Sequence, residues 1–224
     1  MATAQKKGAR FTKLAREISV AAKLGGPDPD ANSRLALAIA QARAASCPKD
    51  TIERAIRKGA GSEDETTHYE ETTYEGFGPY QVGVIVECQT NNKNRTVTEI
   101  RNLFCKHGGQ MSESGSVAWM FDRVGLVEGK KAHVDDPEEE AIEAGANEVV
   151  GPNEDMYSFY GSPEDLDGIR RILQDRGWEI TTAELSYQPK NITQLNKEQE
   201  AEVYKFLEAL EDSDDSHRVH ATLP

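Results

Sequence analysis

The first sixty residues carry apolar side chains at the three- and four-residue spacing that is typical of amphipathic helices. In the stretch FTKLAREISVAAKLGG the apolar positions share one helix face, and the Gly-Gly-Pro that follows favours a stop. A second helix is predicted from Asn32 to about Ser46, and a third begins at Pro48 and ends at Gly59. These helices predict a small N-terminal helical domain at residues 1–67.

Beyond a polar, acidic stretch at residues 62–67, which we interpret as a linker, the apolar spacing changes to the two-residue period of strands. Strands are predicted at Glu70–Gly76 and Val82–Cys88, followed by a helix at about Asn94–His107 and a strand at Ser116–Arg123. This order predicts an antiparallel sheet with helices on one face.

The second half of the chain repeats this mixture after the acidic stretch DDPEEEAIEAG. A strand is predicted at Met156–Tyr160, then a helix that opens at Ser162 and ends at Gly177, then a strand at Trp178–Tyr187. An amphipathic helix from Asn196 to about residue 211 and a strand-like SHRVHATL close the sequence.

Charge divides the chain into two parts of opposite sign. The 224 residues have a formal net charge of −13, which by itself argues against binding to a polyanion. Residues 1–61, however, carry 12 Lys and Arg against 5 Asp and Glu, whereas the remainder carries 14 against 34. The predicted helical domain is therefore basic (+7) and the rest is strongly acidic (−20).

Composition also bears on the compartment. No apolar run approaches the roughly 18 residues of a membrane helix, and the N-terminal sequence lacks the apolar core of a signal peptide. The three cysteines are widely spaced without a CxxC pair, which suits a reducing compartment. We therefore expect a cytoplasmic protein without a membrane partner.

Several long motifs resemble the YebC/PmpR family. They are FTKLAREISVAAKLGG, PKDTIERAIRKGAG, YEGFGP, VIVECQTNNKNRTVTEIRNLFCKHGG and GSVAWMF, and the resemblance runs from about Gln5 to the end. Members of this family usually begin with a basic arm bearing His-Ser-Lys-Trp, and this sequence starts after the place of that arm. The family's Gly-Gly after its Gly-Pro turn is replaced here by Tyr80-Gln81.

The resemblance implies an α+β fold of three domains in which the chain returns to the middle domain at its end. We expect an N-terminal three-helix domain at 1–67, a central ferredoxin-like α+β domain at 68–130 plus 190–224, and an inserted acidic α+β domain at 131–189. Family members are described mainly as DNA-binding transcriptional regulators, and some as ribosome-associated translation factors. No catalytic residue set belongs to the family.

The cations of the basic domain are the candidate binding residues. On a helical wheel that starts at Phe11, Lys13, Arg16 and Lys23 fall at about 200°, 140° and 120°, away from the apolar stripe. Such cations can neutralise phosphates and release counterions. The Asn-rich turn before the central helix either binds a phosphate at the helix N-terminus or only caps that helix. The predicted nucleic-acid-binding residues are Lys6, Lys7, Arg10, Lys13, Arg16, Lys23, Lys49, Arg54, Arg57, Lys58, Lys93 and Arg95.

Other candidate chemistry is weak. Cys105 and His107 are too few for a zinc site, and no phosphate-cradling glycine loop or nucleophile elbow is present. We expect no catalytic residues, no metal and no cofactor. The sequence therefore favours a non-enzymatic transcriptional regulator that binds DNA through its basic domain. Two alternatives stay open, namely a translation factor that binds the ribosome through its rRNA or tRNA and relieves stalling, and an adaptor whose acidic domains bind proteins.

Overall fold

The computed structural model describes residues 2–61, 69–153 and 155–223, with side chains from residue 8 onward. The side chains of Lys6 and Lys7 and the predicted linker at 62–67 lie outside the described residues.

Three helices form the N-terminal helical unit: α1 Ala2–Gly25, α2 Ser33–Ala44 and α3 Lys49–Gly59. Their shared core is aliphatic and includes Ile18, Leu35, Ala38, Ile39 and Ile52, as the helical spacing predicts. The side chain of Asn32 accepts a hydrogen bond from the backbone N–H of Leu35 and caps α2. The three-helix expectation is confirmed, although α1 begins well before Phe11.

The central unit combines a four-stranded antiparallel sheet with two helices. Its elements are β1 Glu70–Phe77, β2 Gly83–Thr90, α4 Lys93–Lys106, β3 Gln110–Ser112, α7 Lys197–Glu211 and β8 Ser216–Ala221. The strand order is β3-β1-β2-β8. Both helices cover the same face of the sheet, where Phe104 and Phe206 meet edge to face with ring centres 5.0 Å apart. The chain thus returns to this sheet at its end, as the family resemblance implies.

The second sheet unit follows the β-α-β-β-α-β order of a ferredoxin-like fold, whereas the central unit, for which that fold was expected, runs β-β-α-β-α-β. It comprises β4 Phe121–Lys130, α5 Pro137–Ala144, β5 Glu148–Asn153, β6 Met156–Gly161, α6 Leu166–Asp175 and β7 Glu179–Pro189. The strand order is β5-β6-β4-β7. Trp178 is buried between the helices and the sheet. The centre of its ring lies 4.8 Å from that of Phe159 and 5.4 Å from that of Tyr157.

Two sequence-based expectations about these units need correction. The strand predicted at Ser116–Arg123 begins only at Phe121, where β4 starts, and a 3-10 turn at Ala118–Met120 precedes it. The residues of β4 were expected in the central unit, but they pair with β6 and β7 in the second sheet. Local alternation cannot show which sheet a strand joins, because that depends on partners distant in sequence. Strands β3 and β5 were not predicted, and the limits of the three domains remain a prediction.

The turn that departs from the family pattern keeps a conformation that favours glycine. Tyr80 and Gln81 both have positive φ, 58° and 62°. The Tyr80 hydroxyl donates a 2.5 Å hydrogen bond to the Glu202 carboxylate on α7, which ties the turn to that helix. The turn therefore keeps a left-handed backbone with side chains in place of glycine.

Candidate nucleic-acid interface

A groove lies between α1 and α3. The two helices pack closely at Gly59, where an added Cβ would lie 2.3 Å from the Ser19 carbonyl oxygen. The Ser19 hydroxyl also donates a 2.9 Å hydrogen bond to the Ala55 carbonyl. Beyond this contact the groove has a volume of about 260 Å³, and Tyr69, just before β1, lies against it.

We call this feature the basic groove. Its lining residues are Phe11, Thr12, Ala15, Arg16, Ser19, Thr51, Arg54, Ala55, Lys58 and Tyr69. Among the described residues that line it, three are cations and none is a carboxylate, although the chain carries 39 acidic and 26 basic residues. A positive groove with aromatic side chains is a common form of surface that binds single-stranded nucleic acid.

Arg16 is buried rather than exposed, so the expected outward orientation of this side chain is wrong. Only 9% of the residue is exposed, and its guanidinium lies 3.2 Å from the Asp215 carboxylate. It also donates hydrogen bonds to the carbonyls of Gln89 (2.8 Å) and Asp214 (2.6 Å). The side of α1 opposite its apolar stripe faces the central unit, and the helical wheel alone could not reveal this.

Lys13 and Lys23, both on α1, differ in their exposure, because Lys13 is half-buried and Lys23 is exposed. The Lys13 ammonium donates a hydrogen bond to the Glu211 carbonyl at the end of α7, and burial lowers its pKa. Lys23 is exposed and donates a 3.3 Å hydrogen bond to the Tyr69 carbonyl. Lys13 therefore helps to hold the helical unit on the central unit, whereas Lys23 remains accessible to solvent.

The turn before α4 caps that helix, and the two cations that follow it, Lys93 and Arg95, form ion pairs. The Asn92 side chain accepts the hydrogen bond from the backbone N–H of Arg95. Lys93 lies 2.6 Å from Glu70, and the Arg95 guanidinium lies 2.7 Å from Asp215. These ion pairs satisfy both cations within the protein.

The remaining predicted cations lie on the surface of the helical unit. Arg10 and Arg57 are exposed, and Lys49 is 87% exposed with Glu53 3.5 Å away. Among the described residues no carboxylate lies within ion-pairing distance of the exposed Arg54. Lys58 is half-buried, with its ammonium 5.3 Å from the centre of the Tyr69 ring. The structure thus divides the predicted residues into an exposed group around α3 and a group that joins the units.

A larger cavity of about 590 Å³ lies where the three units meet, and it is lined by charges of both signs. Arg34 makes a bidentate contact with Glu17, and Arg218 donates a hydrogen bond to Glu184. Burial would raise the pKa of Glu87, but the hydrogen bond with His220 and the nearby arginines lower it to about 2. We interpret this cavity as a packing interface, because each of these cations has a carboxylate partner.

The other reactive side chains of the described residues do not group into a metal site. In the part of the chain that the structure describes, no three His, Cys, Asp or Glu side chains are grouped as a metal ion would require. No described helix combines the length and the apolar character needed to cross a bilayer. The cysteines at 47, 88 and 105 are free thiols.

Sequence reasoning missed Tyr69 and Asp215. Both gain their importance from long-range contacts with α1. The Arg16 guanidinium carbon lies 4.9 Å from the centre of the Tyr69 ring. Nothing in the local sequence of either residue distinguishes it from an ordinary surface tyrosine or aspartate.

Comparison with known proteins places this architecture in a family. Residues 1–62 match the family model described as the TACO1/YebC protein N-terminal domain, and residues 69–223 match the TACO1/YebC second and third domain. A probable transcriptional regulatory protein of Bdellovibrio bacteriovorus is 61% identical over 220 residues, covering 98% of this chain and 94% of that protein. Another from Pseudomonas fluorescens is 49% identical over 96% of this chain and 91% of its own length.

A solved structure shows the same fold. The crystal structure of a conserved hypothetical protein from Aquifex aeolicus superposes with a TM-score of 0.88 at 41% identity, covering 98% of this chain and 90% of the other. The two family models together span nearly the whole chain. The chain therefore belongs to the TACO1/YebC family.

Proposed function

We propose that this protein is a cytoplasmic, non-enzymatic regulator of gene expression that binds the backbone of nucleic acid through its N-terminal helical unit. The observation that carries the proposal is the absence of carboxylates from the described lining of the basic groove in an otherwise acidic chain. The names of the relatives, probable transcriptional regulatory proteins, support the same direction.

The exposed cations around α1 and α3 make the proposed phosphate contacts. Each neutralised phosphate releases condensed counterions, which makes the affinity depend strongly on salt. The cations that join the units, such as Arg16, would contribute by fixing the geometry instead. The proposed contact residues are Arg10, Lys23, Lys49, Arg54, Arg57 and Lys58.

We propose backbone contact rather than reading of base edges in a duplex. The sequence of α3, KDTIERAIRKG, contains no Asn or Gln, the side chains that pair with adenine edges. Its cations can reach guanine edges, but a helix of 11 residues that begins after Pro48 offers few positions for a groove-reading face. DNA is the target favoured by the relatives' names, and a structured RNA such as that of the ribosome presents the same phosphate chemistry.

The test compares two double variants with the same change of charge. In Arg54→Glu/Arg57→Glu two cations of α3 are reversed, whereas Arg101→Glu/Lys106→Glu reverses two exposed cations on α4. Binding to duplex DNA and to a structured RNA is measured by fluorescence anisotropy over a series of salt concentrations. We expect the affinity of the α3 variant to fall at least about tenfold. The slope of log K against log salt concentration should become less negative by about two. The α4 variant should lose far less.

Equal losses in the two variants would show that only net charge matters and would overturn the proposed interface. Retained binding by the α3 variant would overturn it as well. Binding of neither polyanion by the unaltered protein would favour the adaptor alternative, in which the acidic units bind a protein. The polyanion that binds more tightly at physiological salt distinguishes action on DNA from action on the ribosome.

A further inference from the structure

We propose that the basic groove holds one unpaired nucleobase, so that the preferred ligand is a single-stranded segment of nucleic acid. This inference rests on the proposed function and goes beyond it by naming the form of nucleic acid. The phosphates on either side of the base would lie against Arg54 and Lys58, two of the cations that line the groove.

The shape of the groove suits one ring system. Small side chains, Ala15, Ser19 and Ala55, line it together with the rings of Phe11 and Tyr69. Its volume of about 260 Å³ lies just below the roughly 300–1,000 Å³ of pockets that enclose drug-sized ligands. Bases inside a duplex are stacked and paired, so only a base that leaves the stack can enter such a recess.

The hydrogen bonds that Ser19 and Thr12 already make favour stacking over recognition of a particular base. The Ser19 hydroxyl donates to main-chain carbonyls, and the Thr12 hydroxyl donates to the Gly8 carbonyl at 3.1 Å. The protons of these hydroxyls are therefore already engaged. Stacking on aromatic rings tolerates every base, because each base has a π face. We accordingly expect weak sequence preference.

Tyr69 is held in place before any ligand arrives. Arg16 and Lys58 lie 4.9 and 5.3 Å from its ring centre, and its carbonyl accepts a hydrogen bond from Lys23. Arg16 is itself fixed by the buried carboxylate of Asp215. A ring ordered in this way loses little further entropy on binding, which favours affinity.

The test uses a short single-stranded oligonucleotide with one 2-aminopurine, made as DNA and as RNA, and a duplex of the same length. We expect quenching of 2-aminopurine fluorescence on binding and a higher affinity for the single strand than for the duplex. Tyr69→Leu and Phe11→Leu, which keep apolar bulk and remove a ring, should weaken single-strand binding by about 5- to 100-fold. Duplex binding should change little.

Two further variants make the result specific. Tyr69→Phe retains the ring and should retain the quenching, and Tyr204→Leu alters an exposed tyrosine on α7 and should have no effect. The inference fails if Tyr69→Leu and Phe11→Leu, shown to be folded by circular dichroism, bind the single strand as the unaltered protein does. It also fails if the duplex is preferred.

These outcomes separate the inference from the proposed function. Loss of binding in Arg54→Glu/Arg57→Glu with no effect of the ring variants would sustain the phosphate interface and overturn the base recess. Absence of binding to every oligonucleotide would overturn both. The relative affinity of the DNA and RNA versions identifies which kind of single strand the groove prefers.

Discussion

The Arg16 guanidinium on α1 lies 3.2 Å from the carboxylate of Asp215, a residue 199 positions later in the chain. Asp215 is 1% exposed and also accepts hydrogen bonds from Arg95 (2.7 Å), Thr96 (2.7 Å) and Thr90 (3.2 Å). One carboxylate thus joins the helical unit to both β2 and α4 of the central unit. This contact helps to hold α1, and with it the basic groove, against the central unit.

Arg16→Met should destabilise the protein, because it leaves the buried Asp215 carboxylate with fewer partners. We expect the free energy of unfolding, measured by urea titration, to fall by about 3 kcal/mol. Arg54→Met removes an exposed cation from the same unit and should change the stability by less than about 0.5 kcal/mol. Equal stability of the two variants would show that the Arg16–Asp215 contact makes no net contribution to the free energy of unfolding.

Gly59→Ala should also destabilise the protein, although alanine is the better helix former. An added Cβ would lie 2.3 Å from the Ser19 carbonyl oxygen, so α1 and α3 would have to separate. We expect a loss of about 2 kcal/mol or more in urea unfolding. Gly168→Ala on α6, where the added methyl meets no atom within 4 Å, should instead gain up to about 1 kcal/mol. A gain at both positions would contradict the close packing of α1 and α3.

Titration of His217 should lower the free energy of unfolding as the pH drops from about 6.5 to 4. Burial and the charge of Arg218 lower its pKa in the folded protein to about 4, against an ordinary value of 6.5 in the unfolded chain. Below pH 6.5 the unfolded chain therefore binds a proton that the folded protein does not, and folding becomes less favourable.

The expected loss across this pH range is on the order of 3 kcal/mol. It should be absent from His217→Asn when urea unfolding is measured at several pH values. His133→Asn, which alters a histidine 83% exposed, should keep the profile of the unaltered protein. An unchanged profile in His217→Asn would assign the pH dependence to other groups.

Gln81→Gly should stabilise the turn between β1 and β2. Gln81 is exposed and has a φ of 62°, a conformation in which a side chain costs on the order of 1 kcal/mol. Glycine removes that strain, while Tyr80 keeps its hydrogen bond to Glu202. We expect an increase of about 1 kcal/mol in thermal or urea unfolding. A decrease would mean that the Gln81 side chain makes a contribution larger than the strain.

Much of the fold is encoded locally. The end of the chain illustrates this: α7 begins with a capping box formed by Asn196 and Gln199, and buries Val203, Phe206 and Leu210 at helical spacing. All these features lie within a few turns of chain, so periodicity and capping predict them. By contrast β4 was assigned to the wrong sheet, because its partners in β6 and β7 are 28 or more residues away.

The helices and most strands, the family, and the contrast between a basic N-terminal part and an acidic remainder could all be read from the sequence. These follow from composition and from contacts between near neighbours in the chain. Which of the basic side chains are exposed depends on the tertiary structure. Arg16 and Arg54 look equally exposed on a helical wheel, yet Arg16 is buried against Asp215 whereas Arg54 is exposed. The difference arises because burial depends on what packs against a helix, and those residues are distant in sequence.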